Sequence, residues 1–253
     1  MIDTHCHVDF DAFNEDREEV IKRAKDNLDA IINSGTSLDG NKNVLELSKK
    51  YEGFLYPSFG YHPVTSQDKS ADDLINAQKH LIENIENIVA IGEVGMDYFY
   101  TKDKSLRAKQ NEIFTSFVKI ADEYEVPLLI HARDCEKKAY NIVKEYDGIP
   151  NVIFHCYSGS LKTACKILDE DYFISFSTMI CYSTHHQQLA SEIPLENILT
   201  ETDSPYLAMT RDERNEPANV IKAGEKISEI QGINFSEVDK VTTSNAKKVF
   251  NIK

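Results

Sequence analysis

Residues 88–131 read IVAIGEVGMDYFYTKDKSLRAKQNEIFTSFVKIADEYEVPLLIH, and this stretch decides the fold. A short apolar run, Ile88–Glu93, leads into a charged segment with helical spacing, Ser105–Glu123. A second apolar run, Val126–His131, follows. Short β-branched runs alternating with amphipathic helices are the pattern of parallel strands with crossover helices. Working outward, further strands are expected at Met1–His7, Ala30–Ser34, Phe54–Gly60, Asn151–His155, Tyr172–Ser177 and Asn197–Asp203. Helices are expected at Glu15–Asn27, Ala71–Asn87, Cys135–Tyr146 and Glu216–Ile230, with Phe235–Phe250 closing the chain. Eight strands in this alternation give an α/β fold. The count favours a single-domain (β/α)8 TIM barrel over residues 1–253, with an open doubly wound sheet as the alternative. Gly92-Glu-Val-Gly95 lacks the third glycine of a dinucleotide fingerprint.

Composition agrees with one folded domain. Hydrophobic residues make up 41% of 253, and no low-complexity tract argues for disorder. The net charge of −14 speaks against a broad nucleic-acid-coating face, though cations in a cleft can reverse the sign locally. The five cysteines (Cys6, Cys135, Cys156, Cys165 and Cys181) form no CxxC pair, so free thiols in a cytoplasmic protein are expected. The chain opens on MIDTHCH, which leaves no room for a signal peptide, and no apolar run reaches the ~18 residues of a membrane span. A monomer without an obligate partner is expected.

The chemistry lies at the strand ends. His5 and His7 close the first run, and residues two apart on a strand point the same way. Glu93 ends the fourth run, His131 the fifth, His155 the sixth and Asp203 the eighth. In a (β/α)8 barrel these C-terminal ends converge on one mouth. Each histidine alone is an ordinary core or surface residue, and HxH alone is a weak signal. The joint placement is what points to a metal centre. Six nitrogen and oxygen ligands suit two divalent ions such as Mg, Mn or Zn. Such ions would supply hydroxide at neutral pH. Glu93 would bridge them, and Asp203 would bind one ion, take the water proton and pass it to the leaving group.

These residues sit in segments that resemble the TatD-related deoxyribonucleases, metal-dependent hydrolases with a TIM-barrel fold. The matching stretches are IDTHCHVDF (Ile2–Phe10), FGYHPV (Phe59–Val64), GEVGMDYFY (Gly92–Tyr100) and PLLIHARD (Pro127–Asp134). FHCYSG (Phe154–Gly159), TETDSPYL (Thr200–Leu207), RNEPANV (Arg214–Val220) and TSNAKKVF (Thr243–Phe250) complete the series in order along nearly the whole chain. The resemblance implies the same six metal ligands. It also implies His62 as a substrate or phosphate contact, where the alternative is a plain loop histidine. Arg133 would take a phosphate, or else pair with Asp134 or Glu136. Tyr157 and Ser158 would touch a nucleotide. Asp97 and Glu201 belong to the pattern without needing to bind metal. The chain departs from the family after Leu207, where AMTRDERNEP replaces the usual loop with Met209-Thr210 and Arg211-Asp212.

The activity this implies is divalent-metal-dependent phosphodiester hydrolysis of DNA from a single-strand end, of the 3′–5′ exonuclease type. The alternative within enzymes is an ester or amide hydrolase, such as a D-aminoacyl-tRNA deacylase. A binding protein that has lost catalysis would show an eroded ligand set, and none is seen. Elsewhere, His185 and His186 read as solvated surface, and His80 as an exposed helix residue. Cys6 and Cys156 read as packing residues turned away from the metal by alternation. Phe114 and Phe117 are expected between helices and barrel.

Overall fold

In the computed structural model, which describes residues 1–210 and 212–253, eight parallel strands pair in sequence order. The first half of the chain runs β1 (Ile2–Cys6), α1 (Arg17–Lys25), β2 (Ala30–Ser34), α2 (Leu38–Lys50), β3 (Leu55–Phe59), the one-turn α3 (Pro63–Ser66), α4 (Ala71–Glu83), β4 (Ala90–Asp97) and α5 (Lys104–Glu123). The second half runs β5 (Leu128–Arg133), α6 (Glu136–Val143), β6 (Val152–Phe154), α7 (Leu161–Leu168), β7 (Phe173–Phe176), α8 (Thr184–Glu192), β8 (Ile198–Thr200), α9 (Val220–Gln231) and α10 (Phe235–Phe250). The expected barrel is present, and the open sheet is excluded. Among the described residues, no helix is long and apolar enough to cross a membrane.

Helix starts follow the local chemistry. Ser70 and Asp73 form a reciprocal capping box on α4, and the Ser37 and Asp103 side chains cap α2 and α5. The barrel interior is filled at its lower end by Ile2, Ala30, Ile32, Ala90, Leu129, Ile153 and Leu199, with Val249 and Phe250 of α10 plugging the base. Phe114 and Phe117 are fully buried between α5 and the sheet, as their spacing requires.

Two features of the sheet aim the site. In β1 the register slips between Asp3 and Cys6, and in β4 between Ile91 and Val94. Each slip places one extra residue on its strand, the pattern of a β-bulge, which re-aims side chains at barrel rims. His5 and Glu93 lie within these slips. The barrel seam is also irregular. β8 and β1 are tied by Thr4 Oγ1 donating to Thr200 O (3.0 Å), Thr202 N donating to Asp3 Oδ1 (2.9 Å) and Asp203 N donating to His5 O (2.9 Å).

Several boundaries differ from the sequence reading. Glu93 lies inside β4, which continues to Asp97 because Gly95 and Asp97 pair with His131 and Arg133. Gly95 allows this: a Cβ there would overlap the His131 carbonyl. His155 lies one residue past β6, and Asp203 three past β8, where its φ of 57° turns the chain. His80 is half-buried and stacks on Phe59 at 5.5 Å rather than standing exposed. His186 is buried at 4% exposure; it sits on a helix, not a strand, so it turns inward while His185 stays exposed. In the loop after Leu207, Met209 is partly exposed, and Arg211 lies outside the described residues.

Candidate metal centre

At the C-terminal mouth, His5, His7, Glu93, His131, His155 and Asp203 come together. Glu93 is the hub. Its Oε2 lies 2.9 Å from His155 Nε2, 3.4 Å from His131 Nδ1 and 3.7 Å from His5 Nε2, while Oε1 lies 3.7 Å from His7 Nε2. Asp203 Oδ1 faces the same two nitrogens of β1 and its turn, 3.6 Å from His5 Nε2 and 3.5 Å from His7 Nε2. The inner nitrogens also face one another in pairs: His5 and His7 at 3.1 Å, His131 and His155 at 3.2 Å.

Each imidazole has an outer partner that fixes its orientation. His7 Nδ1 donates to Ser34 O at 2.7 Å, and His5 Nδ1 meets Ser34 Oγ at 3.1 Å. His131 Nε2 faces Asp97 Oδ2 at 3.1 Å, and His155 Nδ1 faces Glu201 Oε1 at 3.5 Å. A neutral histidine carries one N–H. With that proton turned outward, the four inner nitrogens present lone pairs, alongside the oxygens of Glu93 and Asp203. A buried set made only of acceptors fits a cation, and imidazole with carboxylate is a donor set for borderline and hard divalent ions. Asp97 and Glu201 therefore stand behind the imidazoles of His131 and His155, on the side away from Glu93. Asp97 also accepts from Tyr100 N at 2.7 Å, and Ser175 Oγ donates to Glu201.

The charges are strongly coupled. Burial alone would push the Glu93 carboxyl up, but His62, His131 and His155 hold it well below the usual range. Burial and the neighbouring imidazoles push His5 down. For His7 burial is outweighed by Asp203 and Glu93, which raise it to about 9. Asp97 and Glu93 likewise overcome burial at His131, as Glu201 and Glu93 do at His155.

A cavity of about 520 Å³ opens above these residues. His62, Arg133, Phe10, Tyr100, Tyr206 and Leu207 line it. His62 caps α3, its Nδ1 accepting from Val64 N at 3.3 Å, so its proton is on Nε2; burial drives its pKa to about 4. The Arg133 guanidinium stacks over Phe99 at 3.9 Å and makes no ion pair with Asp134 or Glu136 among the described residues. Two expected contacts are corrected. Cys156 adopts φ 43°, and this left-handed turn sends the Tyr157 ring back into the core, 1% exposed, with its hydroxyl donating to Ser160 O. Ser158 Oγ turns to Cys156 O and His186 Nε2 and does not line the cavity. Cys156 is off the strand, so alternation does not govern it; its Sγ faces Ser177 Oγ at 3.3 Å.

Sequence reasoning missed Ser34, which faces the His5 and His7 rings, and Asp3, which holds the backbone at His5. Asp3 is fully buried and binds Thr202 and the His5 amide. Both lie on predicted strands, Asp3 two residues before His5 and Ser34 at the end of the second run. It also missed the cavity aromatics, which follow the ligand strands by only a few residues.

An eight-stranded parallel barrel whose mouth gathers four imidazoles and two carboxylates defines a metal-dependent hydrolase. The chain belongs to the TatD related DNase family, which it matches over residues 2–251. It is 42% identical over 250 residues to a metal-dependent hydrolase of Methanocaldococcus jannaschii, covering 98% of this chain and 96% of that one. It is 30% identical over 259 residues to the human deoxyribonuclease TATDN3, covering 99% and 94%. The crystal structure of the TatD homologue YjjV from Escherichia coli superposes with a TM-score of 0.92 at 28% identity, covering 100% of this chain and 98% of that one.

Proposed function

We propose that this chain is a deoxyribonuclease of the 3′–5′ exonuclease type, acting on single-stranded DNA ends with two divalent ions, Mg, Mn or Zn. The ions would be held by His5, His7, Glu93, His131, His155 and Asp203. The observation that carries the reading is the placement of Glu93. Its two oxygens face different imidazoles, with Oε1 toward His7 and Oε2 toward His131 and His155. When bound, such ions supply Lewis acidity and hydroxide at neutral pH.

The chain's own residues supply the rest. Asp203 Oδ1 faces His5 and His7, while Oδ2 has no hydrogen-bond partner among the described residues. Oδ2 would take the proton of the attacking water as the new P–O bond forms. It would return that proton to the leaving oxygen as the ester P–O bond breaks. Arg133 offers unpaired N–H donors for a phosphate. His62 Nε2–H, neutral at pH 7, offers one more donor without adding charge. A cavity of about 520 Å³ suits a strand end better than an intact duplex. The human relative named a deoxyribonuclease supports DNA as the substrate. All five thiols are free, which supports a reducing, cytoplasmic setting, and we take the working unit as a monomer.

The test is elemental analysis of the purified protein, with hydrolysis of 3′- and 5′-labelled single-stranded DNA across Mg²⁺, Mn²⁺ and Zn²⁺. Two metals per chain and stepwise loss from the 3′ end are expected. Metal without DNA cleavage would overturn the nuclease reading and turn the search to ester and amide substrates. Asp203→Asn is expected to keep the fold and most of the metal while turnover falls about 10²–10⁴-fold.

A further inference from the structure

We propose that Tyr100 and Tyr206 form a two-sided stacking clamp for the unpaired bases of a nucleic-acid strand end. The clamp would select single-stranded over paired termini. This rests on the phosphodiesterase reading above and narrows it to base-bearing strand ends.

The exposed large apolar side chains are unevenly placed. Among the described residues, Phe99, Tyr100, Tyr182, Tyr206 and Met209 lie in loops that follow the C-terminal ends of strands, and Leu161 opens α7, while Ile75 and Tyr124 lie elsewhere. Two of them line the cavity that holds Glu93 and Asp203: Tyr100 is 67% exposed and Tyr206 is 55% exposed. Tyr100 follows β4 and Tyr206 follows β8. In a barrel of eight strands in sequence order, these lie on opposite sides of the mouth.

Both rings are fixed at the backbone and largely exposed, with Phe99 set edge-to-face against Tyr100 at 5.1 Å and the Arg133 guanidinium over the same ring. Tyr100 N donates to Asp97 Oδ1. Tyr206 N donates to Asp203 O at 2.9 Å, and Tyr206 O accepts from the buried Asn215 Nδ2 at 2.8 Å. Phe10 meets Tyr206 edge-to-face at 6.2 Å and stacks on His7 at 4.6 Å, so the ring is braced against the metal centre itself.

Charge identifies the occupant. The chain carries −14 overall, yet the guanidinium of Arg133 lies 5.1 Å from the Tyr100 ring and lines the same cavity without an acidic partner among the described residues. Flat faces beside an unpaired cation suit a ligand that is planar and anionic at once, which a nucleotide is. Stacking on aromatic rings accepts any base, because every base has a π-face. A base held in a duplex must first be unstacked to reach such a slot.

The test uses the metal-loaded protein in Mg²⁺, with Asp203→Asn as background to stop turnover. The probe is a single-stranded oligonucleotide ending in 2-aminopurine, whose fluorescence is quenched on stacking. Quenching is expected, with binding weakened about tenfold by Tyr100→Ala or Tyr206→Ala and restored by Tyr100→Phe or Tyr206→Phe. A blunt duplex carrying the same base should quench little. In the active protein, an oligonucleotide ending in an abasic site should be cleaved more slowly than one ending in adenosine, through KM more than kcat. Tyr100→Ala with Tyr206→Ala should erase that difference. Quenching that survives both alanines, or equal quenching by the duplex, overturns the clamp. If the active protein cleaves neither oligonucleotide, the nuclease reading fails, and the quenching alone decides the clamp.

Discussion

Asp97 stands directly behind His131, with Oδ2 3.1 Å from Nε2, while Nδ1 of the same ring turns to Glu93. One carboxylate thus selects which nitrogen of the imidazole carries the proton. Asp97→Asn puts an amide in that place and weakens the selection while keeping an acceptor for the Tyr100 amide. Metal affinity is expected to fall about 10–100-fold with the fold intact. Chelator competition measures the first and circular dichroism the second. Unchanged affinity would remove His131 from the ligand set.

Metal uptake should expel protons. His7 titrates at about 9 in the chain by itself, held up by Asp203 and Glu93 against burial. It is therefore protonated at pH 7.5, and the cation must displace that proton from Nε2. Affinity for Zn²⁺ or Mn²⁺ should rise about tenfold per pH unit between pH 6.5 and 9 if one proton leaves. Calorimetry in buffers of different ionisation enthalpy counts the protons released. A pH-independent affinity would contradict the assignment of His7.

Gly60 directly follows β3 and lies against the backbone of Glu93, where an added Cβ would overlap the Glu93 amide nitrogen and carbonyl oxygen. Gly60→Ala is expected to cost about 2 kcal/mol or more of stability by overpacking. It should also displace the hub carboxylate, so metal stoichiometry falls more than the melting temperature alone would suggest. Urea unfolding and elemental analysis separate the two effects.

His186 supplies an acid-labile contribution away from the metal. Burial, with His185 next, drives its pKa to about 4. Its folded pKa lies below the unfolded value of about 6.5, so the unfolded chain binds more protons between the two. Stability from this group is present above pH 6.5 and is lost as the pH falls toward 4, by up to about 3 kcal/mol. Ser158 and Ser183 bond its two ring nitrogens. His186→Gln should be less stable than the parent at pH 7.5, and the gap should close or reverse at pH 4.5. Parallel unfolding curves at both pH values would refute this.

The barrel was legible because parallel strands are buried on both faces and read as apolar runs. Ala30–Ser34 and Phe235–Phe250 match the structure residue for residue. The fourth run extends beyond Glu93 to Asp97, because Gly92 and Gly95 give β4 its close approach to β5. Helices α2, α3, α7 and α8 are not among the expected ones; α3 is a single turn, and Gly40 lies within α2. The candidate ligands were visible because they cluster within a few residues of the C-terminal ends of the apolar runs, His5, Glu93 and His131 inside their strands and His7, His155 and Asp203 just beyond them. Tyr157 was misplaced because a left-handed residue at Cys156 cannot be seen in a pattern of alternation. The Tyr100–Tyr206 slot joins residues from opposite sides of the barrel, a relation that only closure of the sheet creates.

The seam between β8 and β1 has a temporal consequence. Asp203 gives its amide to the carbonyl of His5, and His7 gives its own to Ser204. The first and last of the six clustered residues along the chain therefore meet only when the barrel has closed. A chain still emerging from synthesis, or one whose last strand has come away, holds at most a partial set of donors. If these residues hold metal as proposed, full occupancy would report completed closure, and the bound ion would tie the two ends of the sheet together.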